Sequence, residues 1–372
     1  MRRKSQAMAV MFAGLVASTA AATALDLPVK PDGAIRFATY NVALAGETAG
    51  GIIERLTTLD DPQATRSAAV IQAVRPDVLL VQELDRDDDG RALSLYAGNY
   101  LARPQDGGEA INYPHRVLLP TNTGVPSGVD LDGDGEIGGE GIDHAVDALG
   151  FGRYPGQYAF ALLSMLPVGE PRTFTEFLWR DMPGHRMAPD ISEAVREVLP
   201  LSSKTHALIP VEVGETVITV VAAHPTPPIR PPLVPRNADE IRLVVDLLHE
   251  ARSQYAIDDK GVRGGLAPGG SAVVMGDLNA DPRPEAGNSA VGAIRYLLDD
   301  PAVIDPEPRS DEAGTATAAF SIGQLRVDYV VPTADLEVLQ SGVYWPPEGD
   351  PAHEASDHYL VWVDVRPRSV AK

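Results

Sequence analysis

The feature that most restricts the fold is a repeated junction, at which a short apolar run of strand type stops at a polar or ionisable side chain. In Val273-Val274-Met275-Gly276-Asp277-Leu278-Asn279 the run ends in a glycine turn that presents a carboxylate and a carboxamide two residues apart. Residues i and i+2 of an extended or turning backbone point to the same side, so Asp277 and Asn279 can reach one bound group together. The stretch Ile35 to Ala38 closes at Thr39-Tyr40-Asn41, Val78-Leu79-Leu80-Val81 at Gln82-Glu83, and Val217 to Ala223 at His224-Pro225. Asp328 follows Leu325-Arg326-Val327, and Ser356-Asp357-His358 opens Tyr359-Leu360-Val361-Trp362-Val363. A fold that gathers the ends of six such runs sets these side chains around a mouth and not in a core. That is the layout of an enzyme.

The intervening sequence supplies the connections. Ala64, Ala68, Val70, Ile71 and Val74 recur at helical spacing, which predicts a helix over Pro62–Val74 with proline in its first turn. Pro76 stops it, and Asp77 to Gln82 reads as a buried strand, giving a strand–helix–strand crossover. Tyr158 to Leu163 is a further strand, and Thr205–Val213 with Glu215–Ala223 form a hairpin around Gly214-Glu215. Asn237 to about Gln254 is an amphipathic helix, with Ile241, Val244, Val245, Leu247 and Leu248 near one face. Ser271–Met275, Gln324–Val331 and His358–Val365 are the last main strands. Residues 103–156 are rich in Gly, Pro, Asp and Asn and read as a long insertion; residues 170–204 read as a second, holding a helix over Pro189–Leu199. The class is α/β, with mixed sheets covered by helices.

The ordered set Asn41, Gln82-Glu83, His224, Gly276-Asp277-Leu278-Asn279, Asp328-Tyr329 and Ser356-Asp357-His358 resembles the endonuclease/exonuclease/phosphatase superfamily, the deoxyribonuclease-I-like fold, over residues 34–366. The resemblance implies a four-layer sandwich, two mixed sheets packed face to face and flanked by helices, in a single catalytic domain over 34–368. It also implies metal-assisted phosphoester hydrolysis. On that reading Glu83 is a metal ligand, a carboxylate suited to a hard cation such as Mg2+ or Mn2+, with Asn41 and Asp357 completing the metal site. Asp277 orients or deprotonates the attacking water and Asn279 binds a phosphoryl oxygen. His224 and His358 flank the phosphoryl group, and Asp328 holds the His358 ring. The chain departs from the pattern in three places. Ala43 stands where some members carry an acid two residues after the Asn, Met165 replaces a frequently basic residue, and large insertions separate Glu83 from His224.

Charge bears on the substrate. The chain holds 31 Lys and Arg against 52 Asp and Glu, a net charge of −21. Arg2, Arg3 and Lys4 precede a small apolar run from Ala7 to about Ala21 and then Ala22-Thr23-Ala24, the pattern of a secretory signal peptide cleaved after Ala24. Residues 25–33 follow as a short tether. Cleavage removes three cations and no acids, leaving 28 against 52, or −24. A protein that grips long nucleic acid uses a basic stripe, and no Lys/Arg cluster follows residue 4. Cysteine is absent, so neither disulfides nor thiolate metal sites form.

Two acidic loops have calcium-ligand spacing. Asp130-Leu131-Asp132-Gly133-Asp134-Gly135 has the start of an EF-hand loop, though Gly141 stands at position 12; Asp85, Asp87, Asp89 and Gly90 repeat the spacing. Solvated acidic turns are the competing reading of both. Pro225 to Pro235 reads as a rigid polyproline-type rim beside His224, and Lys204, His206, Arg236, Asn237 and Trp179-Arg180-Asp181 are candidates to line the cleft. The function expected is a secreted or periplasmic, divalent-metal-dependent phosphoesterase that cleaves a small or lipid-type phosphodiester. An extracellular nuclease is the alternative within the enzymes, disfavoured by charge. A calcium-binding interaction module without catalysis is the alternative outside them, disfavoured because Glu83, His224, Asp277, Asn279, Asp328 and His358 are all present.

Overall fold

A computed structural model describes residues 27–283 and 292–368. The expected signal peptide, residues 1–24, lies outside them. One sheet contains β1 (Ile35–Asn41), β2 (Val78–Gln82), β3 (His115–Leu118), β4 (Phe160–Ser164), β12 (Leu336–Tyr344) and β13 (Leu360–Pro367), in the order β12-β13-β1-β2-β4-β3. The other contains β5 (Arg172–Thr173), β6 (His206–Val213), β7 (Thr216–Ala223), β8 (Ser271–Asp277) and β11 (Asp328–Pro332), in the order β11-β8-β7-β6-β5. A short ribbon pairs β9 (Ala318–Phe320) with β10 (Gly323–Leu325). Each large sheet has one parallel pair at its centre, β1 with β2 and β7 with β8.

Alternation along the strands builds the layers, because successive side chains of a strand point to opposite faces. Phe37, Val78 and Leu80 of the first sheet meet Ile209, Val220, Val273 and Met275 of the second in one buried cluster between the sheets. Their neighbours Ala38, Tyr40, Leu79 and Val81 face outward and are covered by the helices Gly51–Thr57 and Pro62–Val74. On the far side Val221, Ala272 and Val274 are covered by the helix Val234–Leu247 and by Phe174, Phe177 and Trp179. Two faces buried on each central strand explain why β1, β2 and β8 read as near-continuous apolar runs. The fold is the four-layer α/β sandwich expected.

Local chemistry accounts for the boundaries. Asp61 caps the helix Pro62–Val74 by accepting from the Ala64 amide at 2.9 Å, and Arg75 ends it in a left-handed conformation ahead of Pro76. The strand read over Gln324–Val331 is broken in two: it turns at Arg326-Val327, where the Arg326 amide and the Asp281 carboxylate join at 2.7 Å. The helix read over Pro189–Leu199 is shorter, Glu193–Val198, and starts where Ser192 caps the Val195 amide. The long helix begins earlier than Asn237 and ends at Leu247, with a separate turn over Glu250–Ser253. Pro225–Pro235 is not one extended rim, since Pro231–Leu233 forms a 3₁₀ turn and Val234 starts the helix. The stretch 103–156 contributes the edge strand β3 and a short helix, Ile142–Val146. Among the described residues no helix is long and apolar enough to cross a membrane.

Candidate active site

The polar ends of β1, β2, β7, β8, β11 and β13 converge at one end of the sandwich. Asp277 is the hub. Its Oδ2 accepts a hydrogen bond from Asn41 Nδ2 at 3.3 Å and lies 3.3 Å from His224 Nε2 and 3.7 Å from His358 Nε2. Asn41 Nδ2 also donates to Glu83 Oε1 at 3.0 Å, and Glu83 Oε1 lies 3.8 Å from His224 Nε2. His358 Nδ1 pairs with Asp328 Oδ2 at 2.9 Å, and Thr317 Oγ1 donates to the same oxygen at 2.7 Å. Phe320 of the ribbon meets the His358 ring edge-on at 5.3 Å between centroids.

Backbone geometry holds these ends together. Gly276 has φ of 153°, and a Cβ there would lie 1.9 Å from the Ala223 carbonyl oxygen, so only glycine lets β8 pass this close to the residue before His224. Glu83 adopts φ of 58° at the end of β2, a conformation uncommon outside glycine and asparagine, which turns its side chain out of the ladder toward Asn41. Asn279 has φ of 53°; its amide hydrogen goes to Asp277 Oδ1 at 3.0 Å and its Nδ2 to the Pro225 carbonyl at 3.1 Å. Ser356 Oγ donates to the Asn41 carbonyl at 2.8 Å, tying the entry to β13 to the end of β1.

The electrostatics divide the two imidazoles. Burial and the nearby Lys204 charge push His224 below its ordinary value, against the pull of Asp277 and Glu83, so it is neutral. Burial acts on His358 in the same sense, but the carboxylates of Asp328 and Asp277 overcome it and raise it to about 10, so it is an imidazolium. Asp277 is buried, which by itself favours the acid, yet His358, His224 and the Asn279 amide hold it well below the usual carboxylate range. Asp328, raised by burial and by the Asp277 charge to about 6, is ionised at neutral pH.

The donor set fits a divalent cation. Oxygen and nitrogen atoms of Glu83, His224 and Asp277 lie within 4.8 Å of one another, and both ring nitrogens of His224 are buried without a hydrogen-bond partner. Two unsatisfied buried polar atoms beside two carboxylates mark a place where a bound group belongs. Asn41 turns its Nδ2 toward the carboxylates and its Oδ1 toward the Ala43 amide. Asp357 is exposed at the rim, one residue from His358, and is not within ligand distance of the Glu83 group.

Other expected residues sit elsewhere. His206 is buried scaffolding, bonded to Ser202 Oγ at 2.7 Å and the Glu240 carbonyl at 2.9 Å. Arg236 spends its guanidinium on the carbonyls of Leu201, Pro200 and Leu149, and Trp179 donates to Asp239. Asn237 joins the Thr226 and Leu278 carbonyls and so links the segments that follow His224 and Asp277. Of the candidates for the cleft, Lys204 is the one whose charge acts on Glu83 and Asp277. Asp130, Asp132 and Asp134 do cluster, with oxygens within 4.8 Å, while their carboxylates also accept from the amides of Gly133, Gly135, Asp134 and Glu136. Asp85, Asp87 and Asp89 do not. Asp85 is buried against Gly46, Tyr154 and Tyr158, and Asp87 caps the turn at Arg91 and Ala92. Thr317 escaped notice in the sequence, since a threonine among alanines carries no pattern.

Two facing sheets thus bring Asn, Glu, His and Asp from six strand ends to one buried cluster of carboxylates and imidazoles. The chain belongs to the endonuclease/exonuclease/phosphatase family, whose model matches residues 38–358. Members of this family are typically metal-dependent hydrolases acting on phosphoesters. Its fold is similar to that of an endonuclease/exonuclease/phosphatase from Beutenbergia cavernae DSM 12333 (TM-score 0.51, 19% identity, 90% of this chain and 72% of that one). It is also similar to the human Nocturnin catalytic domain with bound sulfate (TM-score 0.50, 14% identity, 91% and 96%). A humanized D. rerio TDP2 carrying 14 mutations is comparable (TM-score 0.50, 11% identity, 90% and 99%). None of the curated proteins matches the chain.

Proposed function

We propose that this protein is an exported, divalent-metal-dependent phosphodiesterase acting on a small or lipid-type phosphoester. The observation that carries the reading is the Asp277 hub, one ionised carboxylate within 3.7 Å of a neutral and a charged imidazole and bonded to Asn41. Glu83 and Asp277, with Asn41 beside them, would hold Mg2+ or Mn2+, and Asp357 stays out at the rim. The cation supplies charge that draws electron density from the phosphoryl oxygens. Asp277, kept ionised, orients a water and accepts its proton as the oxygen attacks phosphorus. His358 presents a protonated Nε2 to the developing charge, and Asp328 keeps that ring oriented through Nδ1. His224 offers a neutral ring nitrogen to a phosphoryl oxygen, and Asn279 stands at the same mouth.

The acidic balance supports the compact substrate over a long polyanion, and the apolar stretch with Ala22-Thr23-Ala24 supports export. The test is hydrolysis of bis-p-nitrophenyl phosphate, p-nitrophenyl phosphate, phospholipids, DNA and RNA by the purified protein with Mg2+, Mn2+ or Ca2+. Diester cleavage that falls about a thousandfold in Asp277→Asn and His224→Ala, with folding kept, is the expected result. Near-normal turnover in either variant defeats the assignment. Faster cleavage of DNA than of any small diester would replace the compact substrate with the nuclease.

A further inference from the structure

Lys204 is 6% exposed, yet among the described residues its ammonium makes neither a hydrogen bond nor an ion pair. Long cationic side chains are seldom buried without a reason, and here the stem is buried while the ammonium itself keeps contact with solvent. β6 pairs His206 with Ala223, so Lys204, two residues before His206, lies at the end of that ladder beside His224, and its charge acts on Glu83, Asp277 and His224. The chain around it is fastened on both sides. The Lys204 carbonyl accepts from the Asn122 amide at 3.1 Å. The preceding Ser203 gives both its amide and its hydroxyl to Glu240 Oε1, at 2.7 and 2.9 Å. Glu240 Oε2 takes the Thr226 amide at 2.6 Å, two residues past His224. One buried carboxylate thus locks the segment carrying Lys204 to the segment carrying His224. Ala43 brings no acid to this mouth, and Glu83 and Asp277 are the carboxylates gathered with His224 there, so an ammonium beside them meets negative charge.

We infer that Lys204 is a phosphate-binding residue of the site, its ammonium taking a phosphoryl oxygen of the substrate or of the released phosphate, with Glu240 as the residue that positions it. The inference rests on the phosphoesterase reading above, but part of its test needs no turnover. Inorganic phosphate, added without metal, should raise the melting temperature of the unaltered protein. The upshift should vanish in Lys204→Met and persist in Lys204→Arg, which keeps the charge. With Mg2+ and bis-p-nitrophenyl phosphate, Lys204→Met should lose about a hundredfold in kcat/KM, the scale of one transition-state donor, while Mg2+ affinity measured by calorimetry does not weaken. Lys204→Arg should recover most of the loss. Lys204→Gln, closer in shape, replaces the Met variant if that one does not fold.

A Met or Gln variant that folds, keeps the phosphate upshift and stays within twofold of normal kcat/KM overturns the inference. So does a variant that binds Mg2+ more tightly but phosphate no more weakly than the unaltered protein, because Lys204 would then serve only to balance Glu83 and Asp277. Absence of hydrolysis with every substrate, alongside a Lys204-dependent phosphate upshift, would overturn the phosphoesterase reading and leave the phosphate site standing.

Discussion

Asp277 and Asp328 stand directly opposite one another on antiparallel β8 and β11, and His358 bridges them, Nδ1 on Asp328 at 2.9 Å and Nε2 3.7 Å from Asp277. Two carboxylates in facing register repel, and the imidazolium is what lets both be ionised at once. The pair His358–Asp328 therefore exists between about 6, where Asp328 ionises, and about 10, where His358 gives up its proton.

The pH dependence follows from the sign of that shift. A histidine raised in the folded state gives stability that is fully present below its ordinary value and lost as pH climbs through the folded one, here about 10. Asp328→Asn removes the largest cause of the rise, so the alkaline limb of the kcat/KM profile should move to lower pH. Its destabilisation should be larger at pH 7.5 than at pH values above 10. Activity should drop by about 10- to 100-fold, the usual effect of removing a carboxylate that orients a catalytic imidazole. An alkaline limb that does not shift in this variant would show that His358 is not the group that titrates.

Metal removal should silence the enzyme reversibly. Glu83→Gln keeps the size of the side chain and removes the charge that sits 3.8 Å from His224, so the concentration of Mg2+ or Mn2+ needed for half activation should rise by at least tenfold. Excess EDTA should abolish turnover, and added metal should restore it. Turnover that resists chelation in both proteins would remove the metal from the mechanism.

The fold carries its own test far from the mouth. Arg36 makes a bidentate pair with Asp364 at 2.7 and 2.8 Å, both side chains buried, and its guanidinium lies 4.2 Å above the Trp362 ring. Breaking a buried pair from one side leaves an uncompensated charge, so Asp364→Asn should cost about 3–5 kcal/mol in urea unfolding. Arg36→Lys should also destabilise, since an ammonium cannot make the fork or the stack. Unfolding midpoints equal to that of the unaltered protein would show the pair to be idle.

Binding to duplex DNA should be weak and only shallowly dependent on salt. With 31 cations against 52 acids and no basic stripe, few phosphates are neutralised and few counterions released. A small diester should therefore be cleaved without competition from added DNA. Titration of labelled duplex from 50 to 200 mM salt measures the slope, and a steep one with tight binding would favour the nuclease.

Much of this arrangement was legible in the residues alone because the signals were local. A strand end announces itself when an apolar run meets Asn41, Gln82-Glu83 or Asp277, and Asp61-Pro62 with Arg75-Pro76 marks both ends of a helix. The edge strand β12 was missed, and its pattern explains why. Leu336 to Tyr344 mixes half-buried and buried positions and has a register shift between Val338 and Gln340, so it shows neither alternation nor a continuous apolar run. Roles set by distant partners were equally invisible. Nothing in Arg236 or His206 tells that one is consumed by backbone carbonyls and the other by Ser202, and nothing in Asp85 tells that Tyr154 and Gly46 claim it. Conversely, Lys204 looks like any surface lysine until Glu240 is seen to hold its neighbour.

The division of the site between the two sheets has a consequence for how the protein comes to work. Asn41, Glu83 and His358 belong to the first sheet and its margins, and His224, Asp277 and Asp328 to the second. The Asn41–Asp277 contact joins residues 236 positions apart. The helices and the β6–β7 hairpin rest on local contacts, but the β1–β13 pair that completes the first sheet and the contacts that complete the mouth are remote in sequence and close slowly. On refolding from urea, far-ultraviolet ellipticity should return first and turnover last. Catalysis then acts as a clock for the closing of these remote contacts, and a collapsed state with its local elements formed but the two sheets not yet joined at the mouth would be catalytically silent.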